Sequence, residues 1–148
     1  MTTLPLAEAV SRLTADRALL LETLDAHPDP HAPYEMAGTD PCESLHDLLA
    51  HVLMWHEINL AVLTEARAGR QHWSLDPRWE TREAGRALNL GGVLAGRELS
   101  TELLLQRFDR TSTALLDALD EQHLELAQYV MTGYNEPYRH AAYHLQPR

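Results

Sequence analysis

The chain has 148 residues, a formal net charge of −10, one cysteine and an apolar fraction of 45%. We expect one folded domain over residues 1–148, because this length allows a substantial core. The basic residues are all arginines and are scattered along the chain. The acidic balance and the lack of a basic patch therefore argue against nucleic acid and anionic membranes as partners. A lone cysteine excludes an internal disulfide framework and a cysteine-rich zinc site.

Targeting signals are missing from the sequence. No apolar run approaches the roughly 18 residues of a membrane span. The first residues lack a basic region followed by an apolar block, which a secretory signal would need. We therefore expect a cytoplasmic protein. Nine histidines are present, so any metal would be held by imidazole and carboxylate groups.

The N-terminal segment from Leu4 to Ala26 is predicted to form the first helix. Pro5 suits its first turn, and apolar residues recur at helical spacing. Asp16 is expected on the polar surface of this helix. The proline-rich segment 27–33 cannot continue the helix, so a loop is predicted up to Gly38 and Thr39.

The second helix carries the strongest start pattern in the chain. Asp40 is predicted to be its N-cap, Pro41 its first residue and Glu43 the partner in a capping box. The helix is expected to continue to Ala68 and to end at Gly69. Its predicted inner face comprises Leu45, Leu48, Leu49, Val52, Trp55, Asn59 and Leu63.

The histidines of this helix occupy different positions around its axis. His56 lies near the centre of the apolar stripe, which favours a neutral, hydrogen-bonded histidine in the core. His51 lies at one margin of the stripe and His46 at the other, where a surface position is expected. Asp47 and Glu57 are acidic neighbours that could assist a metal site, although solvated surface is the expected position of both.

The segment 70–80 contains two tryptophans, Trp73 and Trp79, without helical periodicity. We expect a loop that packs back onto the helices and covers a cavity. A third helix is predicted from Thr81 to Ala95, with several glycines inside it and Gly96 at its end. Such small residues permit close packing against another helix of this chain, or equally a dimer face. A break of the helix near Gly91 and Gly92 is the other possibility.

Two further helices complete the predicted fold. Ser100 caps a fourth helix that reaches Glu121, and a connecting region covers residues 122–136, with a break at Gly133. Pro137 is predicted to open a short last helix. Every element is helical, so we predict an all-α fold: an antiparallel four-helix bundle with a short additional C-terminal helix.

The last helix carries the sharpest chemical pattern. His140 and His144 are four residues apart, so both imidazoles leave one face of a helix about one turn apart. One more histidine from a facing helix would supply three of the four positions around a small divalent metal. His51 and His56 are both candidates for that third ligand. Cys42, in the predicted first turn of the second helix, is a weaker candidate for a reactive group.

The order of these motifs resembles the DinB-like (YfiT-like) superfamily of helical bundles. The resemblance is carried by the segment from Leu48 to Glu57, the third helix containing Asn89, the helix start at Ser100 and the closing His140-x-x-x-His144. It covers residues 40–145 and is nearest to the branch of the colibactin self-resistance protein.

The resemblance implies a four-helix bundle, frequently a homodimer, with a divalent metal held by His51, His140 and His144. Zinc is the expected metal, with nickel, iron or manganese as substitutes. The implied function is a metal-dependent transferase, which passes a low-molecular-weight thiol to a small electrophile, or a hydrolase. A stress or self-protection protein that sequesters a small molecule is the alternative, as is a structural dimer whose metal pins the last helix.

Overall fold

The computed structural model describes residues 3–38, 41–131 and 136–146, and these residues form an all-helical structure. Two single-turn 3-10 helices, Trp73–Leu75 and Pro77–Trp79, lie in the segment that was predicted to be a loop. No described helix is long and apolar enough to cross a bilayer. The α-helices are α1 (Leu6–Ala26), α2 (Leu45–Arg67), α3 (Arg82–Arg97), α4 (Thr101–Ala118), α5 (Leu124–Val130) and α6 (His140–Leu145).

Helix α2 is the centre of the packing. Helices α3, α4, α5 and α6 all pack against it, and α1 packs against α4 and α6. Every residue from Leu45 to Leu53 is consequently buried. A helix that is covered on several sides needs apolar residues around its whole circumference, which explains why its sequence is more apolar than a single stripe requires.

The start of α2 differs from the prediction, which is wrong at this point. Asp40 lies outside the described residues, and the helix begins at Leu45 rather than Pro41. Ser44 is the N-cap, because its hydroxyl accepts the amide hydrogen of Asp47 at 3.1 Å. The Asp47 carboxylate in turn accepts the amide hydrogen of Glu43 at 3.0 Å. Two amides at the helix start are satisfied in this way.

The C-terminal third also differs from the prediction. Part of the connecting region forms α5, which has no side-chain cap and therefore no sequence signal for its start. Helix α6 begins at His140 rather than Pro137. Tyr138 has a φ of 61°, outside the right-handed helical region, and so separates the proline from the helix. The break predicted at Gly133 lies outside the described residues.

The glycines of α3 allow it to approach α2 closely. A Cβ added at Gly96 would lie 2.3 Å from the Cβ of Ala50, and one added at Gly92 would lie 2.5 Å from the sulfur of Met54. Real side chains do not come so close, so a side chain at Gly96 would clash with Ala50, and one at Gly92 would require the flexible Met54 side chain to move. These two residues therefore serve packing within the chain.

Replacing Gly96 with alanine is expected to lower the free energy of unfolding by about 1–3 kcal/mol, because the added methyl group overlaps Ala50. Gly91→Ala is the matched control. Its added Cβ meets nothing within 4 Å, and alanine is the better helix former by up to about 1 kcal/mol. Urea unfolding measures both variants, and equal stabilities would contradict the packing of α3 on α2.

Candidate metal centre

Three histidines from two helices meet in the interior of the fold. His51 extends from α2, and His140 and His144 extend from α6. One potential ligand atom from each of the three lies within 4.8 Å of the other two. The Nε2 atoms of His51 and His140 are only 2.9 Å apart. The structure thus brings together the three residues that the resemblance implied as ligands.

The surroundings favour the neutral form of His140. His51 and His144 are each 1% exposed, whereas His140 is half-buried. Burial lowers the pKa of His140 well below its ordinary value, and the neighbouring rings of His51, His144 and His56 act in the same direction. A neutral imidazole offers one nitrogen lone pair, which is the form that binds metals.

His144 is fixed by the backbone of the loop before α2. Its Nδ1–H donates to the carbonyl oxygen of Ala37 at 2.8 Å, and the Ala37 amide donates to the His144 carbonyl at 3.1 Å. The first bond places the proton on Nδ1 and leaves the lone pair on Nε2. Metal-binding histidines typically make such a bond with the ring nitrogen that does not bind the metal, since this bond sets both the tautomer and the ring orientation.

Gly38 allows this loop to lie directly on His144. Its φ is 101°, and an added Cβ would lie 3.1 Å from the Cε1 atom of His144 and 3.1 Å from the Cε1 atom of Tyr143. Glycine is therefore favoured both by its backbone conformation and by the space available.

Asp16 of α1 holds the start of α6. Its carboxylate accepts the amide hydrogens of Ala141 at 2.9 Å and Ala142 at 2.8 Å. Burial raises the pKa of Asp16 to about 6, although these two bonds and the nearby Arg139 favour its ionised form. The prediction that Asp16 lies on the polar surface is wrong, since it is only 5% exposed. Its spacing from Leu13 and Leu20 on the buried stripe was the available signal.

The geometry of the cluster fits a small divalent ion. Zinc–nitrogen bonds of 2.0–2.1 Å place tetrahedral ligands roughly 3.3 Å apart. The observed 2.9 Å between two Nε2 atoms is close to that spacing, and one ligand atom from each of the three histidines lies within 4.8 Å of the other two. All three donors are imidazoles, a ligand type that suits zinc, nickel and iron.

His56 is not one of the three grouped histidines, although its ring is near enough to affect the pKa of His140. It is 1% exposed, as its position on the helix predicted, and its ring lies against Phe108 of α4 with centroids 5.3 Å apart. The predicted hydrogen bond is missing, because neither ring nitrogen has a partner among the described residues. Burial, with a smaller effect of Arg17, lowers the pKa of His56 to about 4.

His46 and Asp47 are buried, so their predicted surface positions are wrong. The Nε2–H of His46 donates to the carbonyl oxygen of Gly96 at 2.7 Å, and its Nδ1 bonds with the hydroxyl of Thr101 at 2.7 Å. Asp47 forms two bonds with the Arg97 guanidinium, at 3.1 Å and 2.9 Å. Burial opposes ionisation of Asp47, but Arg97 and the Glu43 amide hold its pKa below the ordinary value.

The remaining weaker candidates also lie away from the three histidines. Glu57 pairs with Arg107 at 2.6 Å and is partly exposed. Cys42 precedes α2 by three residues, so its predicted place in the first helical turn is wrong. Cys42 is partly buried and packs against the hydrophobic core.

The tryptophan-rich segment packs back onto the helices, as predicted. Trp55 of α2 and Trp79 line a cavity of about 360 Å³. The rings of Trp73 and Trp79 meet edge to face, with centroids 5.1 Å apart. The described lining of this cavity includes none of the three clustered histidines.

Comparisons with protein-family models, with curated proteins and with solved structures gave no match. The assignment of function therefore depends on the geometry of the chain itself.

Gly38→Ala is expected to lower the affinity for zinc by about tenfold, because the added methyl group displaces His144. Gly69→Ala is the matched control, since Gly69 also has a positive φ, of 74°, but an added Cβ there meets nothing within 4 Å. Both variants should lose about 1–3 kcal/mol of stability through backbone strain. Zinc titration by calorimetry separates the two effects, and equal zinc affinities would contradict the role of Gly38.

His56 should make the metal-free protein less stable in mild acid. The unfolded chain binds a proton at this residue below a pH of about 6.5, whereas the folded chain does so only near the lowered pKa of about 4. The contribution of His56 to the free energy of unfolding is therefore fully present above pH 6.5. It falls by up to about 3 kcal/mol as the pH drops towards 4.

His56→Leu removes this proton and should flatten the decline in stability between pH 6.5 and 4 without abolishing it, since His140 contributes in the same direction. Urea unfolding at several pH values, in the presence of a chelator, measures the slope. A slope equal to that of the original protein would show that His56 is protonated in the folded state.

Proposed function

We propose that this chain is a metal-binding protein in which His51, His140 and His144 hold one divalent ion, with zinc preferred. The observation that supports this proposal is the convergence of three imidazoles, two buried and one half-buried, with one ligand atom from each within 4.8 Å. Burying three titratable groups side by side is unfavourable unless they are compensated, and a shared cation would compensate them.

The set of ligands favours a catalytic use of the metal. Three protein ligands leave one coordination position for water or substrate, as in catalytic zinc sites. A bound ion of this kind lowers the pKa of a coordinated water or thiol and so supplies a nucleophile at neutral pH. The protein would orient the ligands through the Ala37 carbonyl, which bonds His144, and through Asp16, which holds the backbone of α6.

The reaction that we propose is transfer of a low-molecular-weight thiol to a small electrophile, with hydrolysis as the other use of the same ion. The resemblance to DinB-like proteins supports both reactions, together with an antiparallel arrangement of the four long helices α1 to α4. The homodimer and the cytoplasmic location that were expected from the sequence remain predictions.

A structural metal is the second candidate. Two of the three histidines are only 1% exposed, and the cluster connects the short last helix to the central helix α2. In that case the ion would pin α6 without reacting. Sequestration of a small molecule is the third candidate, and the cavity beside Trp55 and Trp79 supports it.

Metal analysis of protein purified without an affinity tag is expected to give one zinc ion per chain. His51→Ala and His144→Ala should each reduce the content to background, because two ligands hold a divalent ion weakly. His27→Ala is the matched control, since His27 is exposed and its ring bonds the Thr23 carbonyl rather than the clustered histidines. Unchanged metal content in both cluster variants would contradict the proposed site.

The same preparations separate the catalytic use from the structural one. A pinning ion should be released only slowly by chelator, and its removal should lower the melting temperature by several degrees or more. A catalytic ion should instead bind an added thiol, which visible spectra of the cobalt-substituted protein would detect. A cobalt spectrum that no thiol alters would exclude the transferase.

A further inference from the structure

The cavity between α2, α3, α5 and the tryptophan segment has a lining suited to a particular class of ligand. Aromatic and aliphatic side chains form most of its wall, and its volume of about 360 Å³ is within the range of small-molecule sites. The described lining residues are Trp55, Ser74, Leu75, Trp79, Glu80, Leu88, Tyr129 and Val130.

The only charge in the described lining of this cavity is negative. Glu80 is the only charged residue among the described lining residues. Its carboxylate accepts the hydroxyl hydrogen of Tyr129 at 2.9 Å, and both side chains are exposed at the edge of the cavity. The net charge of −10 for the whole chain adds to the negative potential. An anionic ligand is therefore disfavoured here.

The aromatic rings add attraction for a cation. The indole N–H of Trp55 already donates to the side-chain oxygen of Asn89 at 2.9 Å, so this residue offers a ligand its apolar ring rather than a donor. Trp79 is positioned by its edge-to-face contact with Trp73. Tryptophan and tyrosine rings attract ammonium groups through their negative faces, and several rings around one cavity recognise quaternary ammonium ions in this way.

We propose that this cavity binds a small organic cation, an amine or quaternary ammonium with apolar substituents. The apolar substituents contact Leu75, Leu88 and Val130, while Glu80 and the aromatic rings stabilise the positive charge. This inference specifies the ligand class for the sequestration candidate. It does not depend on the three-histidine site, so either proposal can fail without the other.

The test compares choline with 3,3-dimethylbutan-1-ol, its neutral isostere, in nuclear magnetic resonance titrations of the full chain. The three tryptophans give three indole signals, and the Trp79→Phe spectrum identifies that of Trp79. Choline should shift the Trp79 signal saturably, and the neutral alcohol should bind about tenfold more weakly because it lacks the charge. Equal or tighter binding of the alcohol would overturn the proposal, as would a signal that choline does not shift.

The Glu80→Gln variant tests whether the preference for a cation depends on the Glu80 carboxylate. Glutamine can still accept the Tyr129 hydroxyl hydrogen, so the shape of the site is kept while the charge is removed. Affinity for choline should fall about threefold, whereas affinity for the alcohol should not change. Glu83→Gln is the control, because Glu83 is exposed on α3 and does not line the cavity. An equal loss in both variants would mean that choline senses only the general acidity of the surface, and would also overturn the proposal.

Discussion

The burial of α2 on several sides is the constraint on which the rest of the structure depends. Polar side chains near the start of that helix need partners within the protein, because every residue from Leu45 to Leu53 is buried away from water. His46 meets this requirement by bonding Gly96 and Thr101 across the turn between α3 and α4. Asp47 meets it by pairing with Arg97. These bonds fix the position of α3 and α4 relative to the central helix.

The two other buried histidines of α2, His51 and His56, lie in different surroundings. His51 faces α6 and is one corner of the three-histidine cluster. His56 faces Phe108 and remains neutral in the interior. A ring nitrogen of His51 lies close to a ring nitrogen of His140, and a cation between them would be stabilised. His56 lies against Phe108 and is affected by the positive charge of Arg17, which would repel a cation. We infer that, of these two histidines, His51 is the one suited to metal binding.

The sequence predicted the four long helices well, because their apolar spacing and their caps at Ser100 and Thr81 are local properties. It failed at the start of α2 and at the start of the last helix. The pattern at Asp40 imitates a capping box, yet the cap that forms is Ser44. The last helix begins at His140 rather than Pro137, because the buried Tyr138 adopts a left-handed backbone conformation. No local pattern predicts such a conformation for a bulky residue.

The candidate site was predictable to the extent that helical spacing determines it. His140 and His144 share a face because they are four residues apart, but the choice of His51 over His56 needed the resemblance. Spacing could indicate that Asp16 is buried, but it could not indicate which groups Asp16 and Ala37 bond. Asp16 and Ala37 act through backbone atoms of distant segments, and such pairings are decided only when the helices dock.

X-ray absorption at the zinc edge, on zinc-loaded protein without an affinity tag, tests the central claim most directly. The account predicts three imidazole nitrogens at about 2.0–2.1 Å and one further light ligand. In His51→Ala, which should hold zinc only at background level, this shell should be absent. A shell that contains sulfur from Cys42, or fewer than three imidazoles, would contradict the three-histidine site.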